Sequence, residues 1–220
     1  MNADLSLLCA PNGAYDLVGT LSLLAMGRGD PCLRVEGPEC VRLAIAGHSG
    51  TLAVRLHGNG DSVRVEVAGA DAEWLLPYLP FLLGLNYQPP SFNEPHRLRI
   101  LSRRFAGLRL PRLPILFPRL VQIVLQQLVS FRDACDGWRQ LVLRHGTSIP
   151  GQDELMSPPK ACVLARMAPY QFVECGILPQ HGRRIIGLAR RAKQIETAWD
   201  GGTSPDAIDR TCALLAKQPG

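Results

Sequence analysis

Near residue 90 the apolar pattern of this chain turns helical and stays so, and that change limits what it can fold into. Up to about residue 85 short alternating runs, as in Ser62-Val63-Arg64-Val65-Glu66-Val67, stand between two helical ones. Beyond Asn93 it is helical: Phe117, Leu120, Val121, Val124, Leu125, Leu128 and Val129 fall at i, i+3, i+4, i+7, i+8, i+11 and i+12. Alternation makes a strand with one wet face, whereas the second spacing puts a stripe along one side of a helix. Between the two lies "NYQPPSFN", residues 86–93, rich in turn formers. The reading is therefore α+β: a small antiparallel sheet with flanking helices over 1–85, a linker over 86–93, and an all-α bundle over 94–220.

Within the first part, 4–9, 40–46, 51–57 and 62–67 read as strands. Glycine-rich turns at 47–50 and 58–61 join the last three into an antiparallel meander. Helices are expected over Ala14–Met26, with Leu17, Val18, Leu21, Leu24 and Ala25 on one face, and over Asp71–Leu83, with Asp71 as the N-cap. In the second part, helices are expected over 94–105, 117–129, 131–144, 158–167, 169–175, 179–199 and 204–216. The helix at 131–144 closes on His145-Gly146, and the last opens on Ser204-Pro205, a cap followed by proline at the first helical position.

A length of 220 residues is enough for a sizeable core. No basic, apolar signal opens the chain, and the apolar window Trp74–Leu85 is too short to span a bilayer, so a cytoplasmic protein is expected. The seven cysteines, at 9, 32, 40, 135, 162, 175 and 212, include no C-x-x-C pair. They read as free thiols of a reducing compartment, with no zinc or iron–sulfur spacing. The five histidines form no ligand spacing and read as turn or surface residues.

Charge is unevenly divided. Residues 1–93 hold five basic and nine acidic side chains; 94–220 hold nineteen and ten. A basic second part suits a polyanion, although many solvated helical surfaces are basic for solubility alone. The same two readings apply to the pairs Arg183-Arg184 and Arg190-Arg191, which share a helix face as phosphate contacts or as a solvated stripe.

One run stands out, "VLQQLVSFRDACDGWRQLVLRHG" at 124–146. A glutamine inside a helix is ordinarily a solvated surface residue, because glutamine is a good helix former. Here Gln127 is flanked by apolar residues, and a break at Ser130 puts Leu128 at an exposed corner. A polar amide beside an apolar wedge is what distorting a base stack requires.

"QLVS" in this setting resembles the helix-hairpin-helix DNA glycosylases, in particular the DNA-3-methyladenine glycosylase II family. "CGILPQHGRRIIGLARRAKQIE" (175–196) is similar to that family's segment before its hairpin, "LLAKQPG" (214–220) to the opening of the hairpin, and "GAYDLVGTLSLLA" (13–25) to its first helix. The likeness runs over nearly the whole chain. It implies a base-excision-repair enzyme acting on double-stranded DNA, which flips an alkylated purine of the 3-methyladenine type and hydrolyses its N-glycosidic bond; no cofactor is expected. It implies Leu128 as the wedge and Gln127 as its polar neighbour. Ser130, Lys217, Pro219 and Gly220 would be further DNA contacts, and Leu23 would line the base pocket.

The family's catalytic aspartate would lie beyond Gly220, so no catalytic residue is assigned. Asp133, Asp136 and Asp206 sit early on their helices, where acids normally lie; Asp209 is on the exposed side of the last helix, and neither it nor Asp200 has the hairpin context. The expectation is a glycosylase-like chain that stops within its hairpin and is inactive alone, with a second polypeptide as one way to complete it. The alternatives are a non-catalytic DNA-binding relative and the remnant of a truncated gene.

Overall fold

The computed structural model describes residues 3–47, 50–87, 96–152, 154–202 and 204–217. The linker from 88 on, His48, Ser49 and residues 218–220 lie outside them. Five strands form one antiparallel sheet: β1 (Leu5–Cys9), β2 (Leu33–Val35), β3 (Cys40–Ala46), β4 (Thr51–Asn59) and β5 (Ser62–Ala68), in spatial order β1-β5-β4-β3-β2. The register aligns the alternating residues into rows. Leu33, Leu43, Val54, Val67 and Leu5 form one, and Val35, Val41, Leu56, Val65 and Leu7 the next. Their central members are fully buried. At about 1.5–3 kcal/mol for each buried aliphatic side chain, this face is the main driving force of the first part.

The helices that cover this face are shorter than the periodicity suggests. Helix α1 spans Leu17–Ser22; it starts where the Asp16 carboxylate accepts the Gly19 N–H at 2.7 Å and lays Leu17 and Leu21 on the sheet. Residues 23–26, expected to continue it, leave the helix instead. The 71–83 stretch is a 3-10 helix over Ala72–Tyr78 followed by α2 (Leu79–Leu82). Pro77 and Pro80 remove amide donors there, which explains the interruption. Asp71 makes no side-chain cap; its carboxylate accepts the Gly50 N–H at 3.2 Å.

The opposite face of the sheet carries Arg34, Arg42 and Arg55 side by side on β2, β3 and β4. Like charges in register are unfavourable unless neutralised. Glu36 pairs with Arg42 at 2.5 Å, and a loop of the second part brings Gln152 to Arg42 (2.7 Å) and Glu154 to Arg34 (3.4 Å). That loop joins β6 (Thr147–Ser148) to β7 (Met156–Ser157), a two-residue ladder too short for any sequence pattern to reveal.

The second part is helical: α3 (His96–Arg104), α4 (Phe117–Leu125), α5 (Phe131–His145), α6 (Ala161–Leu164), α7 (Pro169–Val173), α8 (Pro179–Trp199) and α9 (Pro205–Leu215). Its core gathers Trp138, Leu141, Phe172 and Ile185. A Cβ on Gly182 would stand 2.9 Å from the Phe172 ring, so the contact between α7 and α8 requires glycine there. Ser204 caps α9 by accepting the Ala207 N–H at 3.2 Å.

The two cores are joined through residues 26–32. Met26 and Cys32 pack into the helical core. Asp30, 2% exposed, accepts the Met26 N–H at 2.7 Å, the Cys32 N–H at 2.9 Å and the Trp138 indole N–H at 3.0 Å. Gly27 holds a left-handed φ of 80°, and a side chain there would strike the Cys135 sulfur at 2.8 Å. Trp138→Phe leaves Asp30 one donor short and is expected to cost about 1–3 kcal/mol in urea unfolding. Asp30→Ala strands three donors and is expected to cost more. An Asp30→Ala protein as stable as wild type would contradict this account.

Candidate nucleic-acid interface

Helix α4 ends four residues earlier than its apolar spacing suggests. Gln126 is its C-cap, Leu128 turns into the left-handed region with φ 57°, and Ser130 is already the extended N-cap of α5. The apolar spacing runs on through Val129, but the reversal needs one residue of positive φ, and Leu128 supplies it. A leucine pays about 1–2 kcal/mol for that backbone. Its side chain is also 89% exposed, so it recovers nothing by burial. Backbone strain and an exposed apolar side chain at one residue are a reason to look for function.

The corner is held from below by α8. The Gln127 carboxamide oxygen accepts from Arg184 at 2.6 Å. At the other end of α4, Glu196 accepts the Leu116 and Phe117 N–H groups at 3.1 and 2.6 Å, capping the helix start. Burial pushes the Glu196 carboxyl above its usual range, and the two donors oppose this. Helix α8 thus grips α4 at both ends, and the two run antiparallel. Beneath the corner, His181 is buried and hydrogen-bonds the Gln127 backbone. The expectation that His181 lies on the surface is therefore corrected.

The remaining site candidates fall in different places. Ser130 accepts the Asp133 N–H at 3.1 Å and donates to its carboxylate at 2.7 Å, so its hydroxyl is engaged in the cap of α5. Lys217 is exposed just past α9. Pro219 and Gly220 lie outside the described residues. Leu23, the C-cap of α1, is 46% exposed; its carbonyl accepts from Arg119 at 3.0 Å, and it lines neither groove beside the corner.

Those two grooves open beside the corner, one reached by Gln127 and the other by Phe131. One, about 550 Å³, runs between α4 and α8 and includes Gln127, Arg183 and Arg184. The other, about 520 Å³, lies between β2 and the start of α5 and includes Arg28, Arg34 and Phe131. Neither lining contains a carboxylate. Phe131 is 60% exposed, three residues from Leu128. Sequence reasoning passed over it as the first residue of an amphipathic helix, although an aromatic directly after a cap serine was a readable signal. Among the described residues no cluster of His, Cys, Asp or Glu could hold a metal ion, and no helix is long and apolar enough to cross a membrane.

No protein-family model matches the sequence, and no curated protein matches it. Solved structures match in shape. The fold is similar to that of the 3-methyladenine DNA glycosylase from Archaeoglobus fulgidus, at a TM-score of 0.70 and 20% identity over 84% of this chain and 66% of that one. It is similar to MBOgg1, solved with a low-affinity DNA ligand, at a TM-score of 0.64 and 13% identity over 88% of this chain and 65% of that one. It is also similar to the Clostridium acetobutylicum 8-oxoguanine glycosylase/lyase, solved with double-stranded DNA containing cytosine opposite 8-oxoguanine. That match has a TM-score of 0.57 and 14% identity over 97% of this chain and 79% of that one. The chain spans just under two thirds of the length of the first two. At these identities the likeness establishes a fold shared with DNA glycosylases.

Burial and, next, the Arg184 charge hold the His181 imidazole below its ordinary value of 6.5, against the opposing hydrogen bond to the Gln127 backbone. The unfolded chain therefore takes up this proton first. Stability is present above the ordinary value and is lost as pH falls through the lowered one. Urea midpoints are expected to drop more steeply between about pH 7 and pH 5 in wild type than in His181→Gln. Parallel curves would refute the assignment.

Proposed function

We propose that this is a DNA glycosylase-like protein of base-excision repair that grips double-stranded DNA at the α4–α5 corner. In this reading Leu128 enters the base stack where a nucleotide has been extruded. The Gln127 amide, its oxygen held by Arg184, offers its NH2 group to an exposed base edge. The observation that carries the proposal is Leu128: fully presented, in a strained backbone, at a corner whose two helices are fixed from behind. The glycosylase fold supports it, as do the DNA ligands in two of the similar structures.

The substrate class the reading favours is an alkylated purine of the 3-methyladenine type. Such a base already carries positive charge and leaves readily, but the sugar cation left behind calls for a carboxylate. The grooves beside the corner supply none, and Asp133, the nearest acid in sequence, is occupied in the Ser130 cap. The described residues therefore fit recognition and distortion of DNA better than bond cleavage, and the 220-residue chain is expected to bind without cutting.

Four measurements test this. Affinity for a duplex is expected to fall linearly with the logarithm of salt concentration, as phosphate contacts require. Leu128→Ala is expected to weaken binding roughly tenfold with little change in stability. Leu128→Gly is expected to weaken it similarly while raising stability by about 1 kcal/mol, because glycine relieves the left-handed backbone. Release of 3-methyladenine from methylated DNA is expected to stay at background. Turnover abolished by Asp206→Asn or Asp209→Asn would overturn the non-cutting reading, and salt-independent binding would overturn the interface.

A further inference from the structure

The groove between α4 and α8 has the shape and lining of a seat for a third helix. Its α4 wall is Leu120, Ile123, Val124 and Gln127, a spacing of i, i+3, i+4 and i+7. Its α8 wall repeats that spacing from Gln180 through Arg183 and Arg184 to Gly187, with Leu188 following. Two antiparallel helices presenting such ridges leave a channel into which the ridge of another helix fits. Ile123 is 54% exposed on this wall, and Leu215 at the end of α9 closes the channel.

Gly187 is a second, independent observation. Glycine inside a helix costs about 1 kcal/mol relative to alanine. Gly182, five residues earlier, is required by the Phe172 ring, but a Cβ on Gly187 would meet nothing within 4 Å. No packing within the described chain accounts for it. It lies in the groove lining, where a missing side chain lets another backbone come close.

Charge decides the occupant. Arg183 and Arg184 line the groove and no acid does. Apart from Gln127, Gln180 and Gly187 the rest is aliphatic, with no aromatic ring on which a base could stack. Arg184 is engaged by Gln127, which leaves Arg183 as one cationic group over an aliphatic floor: a poor seat for a run of phosphates, but a fit for an apolar helix with a flanking carboxylate. We propose that this groove binds an amphipathic α-helix of a partner polypeptide, aliphatic along one face and carrying glutamate or aspartate opposite Arg183. The groove shares Gln127 and Arg184 with the Leu128 corner, but the inference rests on the aliphatic floor, Arg183 and Gly187 and does not depend on the DNA reading.

The test uses the 220-residue chain and a fluorescein-labelled helical peptide of about eighteen residues, with leucines at i, i+3, i+4 and i+7 and glutamates on both flanks. Anisotropy is expected to show saturable binding. Arg183→Glu and Gly187→Trp are each expected to weaken it at least tenfold, and Arg190→Glu, outside the groove, to leave it unchanged. A lysine-flanked peptide is expected to bind wild type poorly and to bind Arg183→Glu better. That charge swap keeps the test decisive even if the tryptophan variant fails to fold, and Leu128→Ala, expected to weaken only duplex binding, keeps the two readings apart. Equal binding of both peptides to wild type, or indifference to Arg183→Glu, would overturn the proposal. So would a Gly187→Trp protein that loses duplex binding but keeps the peptide, which would assign the groove to DNA. A dimer of this chain dissolved by Gly187→Trp would overturn it in favour of a second copy.

Discussion

The two halves of this molecule depend on one buried carboxylate. Asp30 lies between the sheet and the helices with almost no access to water, and an isolated charge there would be prohibitive. It is tolerated because three N–H groups converge on it, two from its own loop and one from Trp138 of α5. Arg119 adds a compensating charge from α4: burial pushes its guanidinium down, and Asp30 opposes the shift. Arg119 also donates to the Leu23 carbonyl and the Gln122 side chain, so the loop, α1 and α4 are positioned together. Removing the carboxylate would leave its donors buried and unpaired, which is why the loop can take only this path.

What α5 gains from Asp30, α4 gains from α8. Glu196 and Arg184 lie twelve positions apart on one helix and hold the two ends of α4. A helix fixed at both termini cannot slide or unwind to relax the turn that follows it. The strain at Leu128 therefore remains in the turn, and the backbone that carries the side chain is held in place. An interface that must enter a base stack benefits from this, because ordering a loop on binding would subtract from affinity. The buried His181 under Gln127 adds a third support from the same helix.

The sheet and most helices were legible because their signals are local and repetitive. Strand β5 alternates, α5 carries a serine cap and a glycine end, and α9 has Ser204 before Pro205. What escaped was set by tertiary contact. The 14–26 helix ends early because residues 26–32 must reach the Asp30 clasp, and a periodicity count has no term for a partner 108 residues away. Helix α4 stops at Leu125 although the pattern continues through Val129, because the demand for a reversal outweighs the apolar stripe. Strands β2, β6 and β7 are too short to show a period at all. At the candidate site, the corner and its leucine could be read. The Arg184 brace and the burial of His181 could not, since both depend on how α8 lies against α4.

Leu128 itself argues for use over accident. On stability alone, glycine would be the better residue at a φ of 57°, relieving the backbone and removing an apolar side chain from water. Asparagine would tolerate the same conformation and be soluble. Leucine is the worse choice on both counts. The surrounding framework is strong enough to impose that conformation, since α4 buries Val121, Val124 and Leu125 while α5 buries Ala134, Trp138 and Leu141. On the reading proposed above, a fold that spends its rigidity on holding a leucine out into solvent, close to Phe131 and the groove of Arg28 and Arg34, is arranged for a partner with an apolar gap and a negative surface. Duplex DNA with one base turned out has both features.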